Sequence, residues 1–280
     1  MDDVDSLVCL GLRLHVPFWC SFRDPLTSNL HRTFPVPPPS TLYGLLGAAL
    51  GLAQDDVSRR ADFRFAIAVQ RSGEIVETYS KWMKASEDTL SKATGDNRAK
   101  VEAALNSVRA RGELPSDDAV WSSTPLIRQK LIQPIFDIGV LCSVEHAEQV
   151  LAAVARPAFP LYLGESDDGI DIEALGIEVP QPSIGEATGI ISGVHAGGIL
   201  ANLPRLFRPL KRGWELERWL VTVPRPGAPV PTDAPLHACH GHKWEFEPPI
   251  EALDAPQVLA GKSRSPRGKA KPSGEQGSLF

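Results

Sequence analysis

Between Arg32 and Gly51 the chain reads RTFPVPPPSTLYGLLGAALG. Pro35, Pro37, Pro38 and Pro39 stand within five positions. A polyproline arm is rigid and leaves its carbonyls without internal hydrogen bonds. Ser40 and Thr41 follow, then an apolar run carrying Gly44, Gly47 and Gly51. A hydroxyl at that point can accept from the free amides of a first turn, so the pattern predicts a capped helix over 41–52. Such a helix start offers amides and a positive dipole end to an anion. Glycines near it let a ligand backbone come close. With Phe18, Trp19, Arg23, His31 and Arg32 upstream, the stretch can hold a phosphate-bearing strand, arginines on phosphates and aromatics stacked on bases. The competing reading is plainer: the prolines only turn the chain, and the glycines only allow close helix–sheet packing.

A chain of 280 residues with 42% hydrophobic content supports one large domain or two small ones. Its net charge of −5 excludes a generic polyanion binder. No apolar run reaches about 18 residues and the N-terminus lacks a basic region, so neither a span nor a signal peptide is expected, and a cytoplasmic location is. Cys9, Cys20, Cys142 and Cys239 are scattered without paired spacing, which reads as buried, reduced thiols. The abundance of glycine (23) and proline (25) predicts many turns and modest helix content.

Residues 7–16 alternate as a strand with one buried face. The connection 17–39 is long for a compact domain unless it binds something. Residues 63–70 and 74–82 read as two strands joined by a tight hairpin at Ser72-Gly73. The segment 85–122 turns polar and charged, with too few apolar residues for the core. A strand returns within 124–142, and a helix over 144–157 ends at Pro157. FPLYLG at 159–164 is expected to close the unit. The order strand, helix, strand, strand, strand, helix gives an α+β sandwich of the ferredoxin-like type. Its parts are 1–84 and 123–175, with 85–122 an excursion and 176–258 a β-rich C-terminal part. Residues 259–280 form a basic tail expected to be disordered, with five basic residues and one acid from 261 on. Without that +4 the rest of the chain carries −9.

The stretch FRDPLTSNLHRTFPVPPPSTLYGLLGAALGL (22–52) resembles the N-terminal signature of the CRISPR-associated protein five family. STPLIRQKLIQPIFDIGVLC (123–142) resembles that family's strand after its thumb insertion, and FPLYLGESDD (159–168) its closing turn. Together they cover about 7–175. The resemblance implies an RNA-recognition-like (RAMP) ferredoxin-type domain acting as a non-catalytic subunit of a type I surveillance complex (Cascade), I-B-like, in antiviral defence. Such a subunit grips the 5′ handle of CRISPR RNA and caps the filament of backbone (Cas seven-type) subunits through its thumb, here 85–122. It sits beside the large (Cas eight-type) subunit and the target DNA near the protospacer-adjacent motif. Arg32, Ser40 and Thr41 match the motif and take phosphate or backbone roles, with Arg23 and His31 beside them; Gly44 and Gly47 permit close approach. Lys81, Trp82, Met83 and Lys84, at the base of the thumb, suit stacking or wedging between nucleotides, or else a strand end that snorkels. Arg128, Gln129 and Lys130 lie where the thumb returns, in the same groove or on a solvated turn. The −9 charge requires RNA binding to stay within one basic groove.

Some relatives cut precursor RNA with a tyrosine, a lysine and a histidine. Here Tyr43 and Tyr79 are present, but Lys130 is followed by Leu131 and no Lys-His pair occurs in 115–135. His15, His31 and His146 could act as bases, yet each suits a strand face or a helix surface. The expectation is no catalysis; the alternative is a metal-independent endoribonuclease. HACHGHKWEFEP (237–248) offers His237, Cys239, His240 and His242 as ligands, but the spacing is too compressed for a structural zinc loop, so no metal and no cofactor are expected. RLFRPLKRGWELERW (205–219) collects Arg205, Arg208, Lys211 and Arg212, a patch for the handle, for DNA, for an acidic face of the large subunit, or for solvent alone.

Overall fold

The computed structural model describes residues 7–25, 27, 30–83, 98–103, 106, 123–165, 168–209 and 214–250. Strand β1 (Val8–His15) lies where the alternation of 7–16 put it, but it is buried on both faces over Val8–Leu12, and only Arg13 and His15 reach partial exposure. Its Leu10, Leu12 and Leu14 face helix α1 (Pro39–Leu50) and helix α2 (Val144–Ala155) in the main core. Strands β4 (Arg64–Arg71) and β7 (Ile135–Cys142) send Phe65, Ile67, Phe136, Ile138 and Val140 into the same core. A fully buried side chain of this size stabilises by about 1.5–3 kcal/mol, so this layer dominates the fold. The fourth strand, β8 (Asp171–Glu178), completes an antiparallel sheet of order β4-β7-β1-β8.

Three expectations need correction here. α1 begins at Pro39, with Pro38 as cap and no side-chain cap bond. The amides of Thr41 and Leu42 both donate to the Pro38 carbonyl (2.9 and 3.1 Å), and proline at the first position needs no donor. The arm itself is packed inside: Val36, Pro37, Pro38 and Pro39 are all buried. Second, Ser72-Gly73 makes no hairpin. β4 pairs with β7, whereas β5 (Glu74–Met83) pairs with β6 (Ser123–Ile132). Gly73, at φ 72°, steps the chain from one sheet to the other, and a Cβ there would meet the Ile132 carbonyl oxygen at 2.7 Å. The return step lies alongside at Gln133, at φ 48°, whose carbonyl accepts from Arg71 Nε at 2.6 Å. The β4–β7 pair thus continues as a bent β5–β6 ribbon. Third, 159–164 is irregular apart from one bridge, Tyr162 to Gly169; Pro160 breaks the run, and β8 closes the sheet instead.

Strands β2 (Trp19–Cys20) and β3 (Leu30–His31) join β6, antiparallel and parallel respectively. The C-terminal part holds β9 (Gln181–Ala187), β13 (Val230–Cys239) and β14 (His242–Trp244) in one sheet. A second sheet holds β10 (Ile191–Ser192), β11 (Ile199–Pro209) and β12 (Trp214–Val223). The first of these covers the outer face of the main sheet. Gly11 and Gly139 pair across β1 and β7, and the hollow they leave receives His240 and Trp244; a Cβ on either glycine would stand 2.7 Å from those rings. Trp244 and Phe246 pack there with Cys9, Ala66, Ala68, Leu141 and Cys239. No described helix is long and apolar enough to cross a membrane.

Candidate nucleic-acid interface

Pairing register decides which predicted residues meet. His31 pairs with Arg128, and Trp19 with Ile132. Paired residues share a sheet face, as do residues two apart on a strand. His31, Arg128, Lys130 and Trp19 therefore lie on one face of the β2-β6-β3 sheet. Lys130 Nζ stands 4.8 Å over the Trp19 ring and 3.8 Å from Asp168 Oδ1. Asp168 is fully buried. Burial pushes its carboxyl up, against the pull of the Glu165 and Ser21 amides and of Lys130. Arg128 Nη1 meets Glu165 Oε2 at 3.0 Å. His31, expected beside the RNA motif or on a strand face, is on strand β3 and 3% exposed.

Arg23 and Arg32 are exposed on the excursion that carries β3. A bridge from Arg23 to Thr33 and a bond from the Asp24 amide to the Arg32 carbonyl (2.9 Å) hold them side by side along its two arms. Phe18 and Trp19 are 69% and 43% exposed, their rings 6.2 Å apart. Gln129 alternates to the other face of the ribbon, where its Nε2 donates to Glu77 at 3.1 Å. That face also presents Ile75, Tyr79 and Ile127.

Ser40, Gly44 and Gly47 lie elsewhere. They floor a groove of 790 Å³ between α1, the loop after it and β11, which none of Arg23, His31, Arg32, Arg128, Gln129 and Lys130 lines. The sequence joined these two sets; the fold separates them. Thr41 is half-buried and does not line the groove. The groove does not suit phosphate. Arg60 and Arg205 line it, but both bind Glu247: Arg60 Nη2 at 2.6 and 2.7 Å, Arg205 Nε at 2.9 Å.

That network takes up two of the four cations expected as a patch over 205–212. Arg205 is 7% exposed and also bonds Glu217, while Arg208 meets Glu217 at 3.2 Å. Lys211 and Arg212 lie outside the described residues, as do Lys84 and nearly all of the 85–122 excursion. Lys81, Trp82 and Met83 continue β5 opposite Pro125, Thr124 and Ser123. The histidines of 237–242 part company. His240 bonds the Cys9 carbonyl at 3.0 Å, His242 bonds Asp137 at 2.9 Å, His237 packs edge-on against Phe246, and Cys239 accepts from Trp244 Nε1. Asp137 is the centre of a second buried cluster, held by Arg13 (2.7 and 2.9 Å), Gln70 (2.7 Å) and His242. Burial alone would raise its carboxyl, but bonds from Arg13, His242 and Gln70 hold it well below the usual carboxylate range.

Sequence reasoning singled out neither Asp168 and Glu165 nor the Arg60–Glu247 pair. Beyond the Glu165 amide three residues back, the partners of Asp168 lie 38 and 147 residues away in the chain, and nothing local signals those.

Comparison with known proteins follows the same lines. A family model described as CRISPR-associated protein (Cas_Cas5) matches residues 9–218. No curated protein matches the sequence. Among solved structures, a chain of a CRISPR RNA-guided surveillance complex is similar at 16% identity, over 81% of this chain and 91% of that one, with a TM-score of 0.51. Weaker likenesses are a crystal structure of a Cas protein (19% identity, 79% and 98% covered, TM-score 0.42) and one of a CRISPR protein from Archaeoglobus fulgidus (12%, 85% and 98%, 0.41). The family match spans most of the chain, β1 to β12, and takes in the β2-β6-β3 sheet: this protein belongs to the CRISPR-associated protein five family.

Proposed function

We propose that the protein is a non-catalytic, RNA-holding subunit of a type I CRISPR surveillance complex, and that it takes the 5′ handle of CRISPR RNA on the β2-β6-β3 face. The observation that carries this is Lys130 over the half-exposed Trp19 ring, on the face that also holds Arg128, with Arg23 and Arg32 exposed on the excursion that carries β3. A cation on an aromatic face gives a strand both a phosphate partner and a stacking platform. The helix–strand order around β4-β7-β1-β8 supports a ferredoxin-like reading of the domain. An RNA-recognition domain of that type leaves the sheet face opposite its helices open to bases. Here Trp244 and Phe246 fill that face, which favours the ribbon as the RNA surface. The ribbon runs into 84–122, in keeping with a thumb. Its other face, with Ile75, Tyr79 and Ile127 at 56%, 71% and 40% exposed, suits a neighbouring backbone subunit; the large subunit and the target DNA lie further along the assembly. Guide pairing reads the target in such a complex.

Capture without cleavage is part of the proposal. On that face Arg128 and Lys130 are engaged by Glu165 and Asp168, and His31 is buried, which favours holding over general-base chemistry there. Labelled repeat RNA incubated with the protein in EDTA should stay intact while a titration shows binding. Specific cleavage would overturn the non-catalytic reading. Arg32→Ala and Arg128→Ala should each weaken binding and lower the salt slope by about one; unchanged affinity in both would overturn the placement.

A further inference from the structure

We infer that the groove beside α1 is the seat of the chain's own C-terminal segment, with 251–260 lying along the groove and the basic stretch 262–271 reaching its acidic lip. The groove is built for protein. Leu52, Val57, Phe159 and Phe207 wall it, and Phe159 and Phe207 are still 53% and 36% exposed. Tyr43 lines it at 7% exposure, and among the described residues its hydroxyl finds no acceptor. Gly44 floors the groove with no atom within 4 Å of where its Cβ would stand.

Charge selects among occupants. The lip carries Asp55 and Asp56, and hydrogen bonds from Ser58 hold the Asp56 carboxyl below its ordinary range. With both lining arginines bound to Glu247, a phosphate strand meets net repulsion. A basic peptide meets attraction. The described chain ends at Ile250, beside the groove: Arg205, which lines it, donates from Nη2 to the Pro249 carbonyl at 3.4 Å. Residues EALDAPQVLA follow, supplying Leu253, Val258 and Leu259, and then come Lys262, Arg264, Arg267, Lys269 and Lys271. Ten extended residues span about 33 Å, against ~18 Å for the length of α1. The reach from Ile250 along the groove to the acidic lip is therefore ample.

Zero-length carbodiimide coupling of the full chain, read by mass spectrometry on the monomer, tests this. Asp55 or Asp56 should join Lys262, Lys269 or Lys271 within one chain. Val258→Asp with Leu259→Asp, outside the described fold, should cut that yield about tenfold or more by removing the apolar contact. Gly44→Trp should do the same by filling the groove from its floor. Neither change touches the β2-β6-β3 face, so RNA affinity should not move, and failure here leaves the RNA proposal to its own test. Coupling of these lysines without preference for Asp55 and Asp56 would overturn the assignment. So would a yield indifferent to both variants, or coupling found only between two copies, which would give the groove to a second molecule.

Discussion

Lys130 is a residue at which a structural role and the proposed RNA contact meet. It is 8% exposed, yet its ammonium faces the Trp19 ring and the buried carboxylate of Asp168. Removing the cation leaves Asp168 buried without a counter-charge, a change expected to destabilise by roughly 3–5 kcal/mol. Lys130→Met combined with Asp168→Asn removes both charges. The pair of changes should restore much of the stability seen in denaturant unfolding while RNA affinity stays low. Recovery of both together would show Lys130 to be structural only. Trp19→Ala should cost ~1–3 kcal/mol of RNA binding through lost stacking, read by fluorescence anisotropy, with little change in unfolding midpoint because the ring is 43% exposed. Gly139→Ala sends a methyl to within 2.7 Å of Trp244; overpacking of that kind costs about 1–3 kcal/mol and should appear as a lower midpoint with RNA affinity unchanged.

At the scale of elements, two buried polar clusters tie the C-terminal part to the main sheet. Glu247 reaches Arg60 and Arg205, and His242 reaches Asp137. Because the Asp137 carboxyl sits below its unfolded value, its contribution is present above about pH 4 and fades as pH falls toward the folded value. Asp137→Asn should therefore destabilise at neutral pH, and the gap from the wild type should narrow below about pH 4 in pH-dependent unfolding. A gap constant with pH would exclude the ionised carboxylate as the cause. These ties also mark where the sequence stops being legible. The period-two alternation of β1 and the helix after the prolines are local signals, and both were readable. The partner of β5 is not: Ser72-Gly73 announces a turn, but only residues some fifty positions on determine that β5 leaves β4 for β6. FPLYLG looks more like a strand than DIEALGIE, yet the second is β8, a half-exposed edge strand rich in acids.

Over the whole molecule, the fold pairs His31, beside Arg32, with Arg128 of the return strand, so two segments far apart in the chain are neighbours. What the sequence could not show is that Ser40, Gly44 and Gly47 lie apart from them, beside a groove with acidic lips. Adjacency in the chain suggested one cradle, and α1 runs away from β3 to pack against α2 and β11. The central claim is that RNA lies on the β2-β6-β3 face. Photo-crosslinking of bromouridine-substituted repeat RNA to the full chain, with the modified peptides mapped, tests it most directly. Adducts on Phe18, Trp19 or the 23–33 excursion are the expected result. Adducts confined to α1 and residues 206–207, or none on the β2-β6-β3 face, would contradict it.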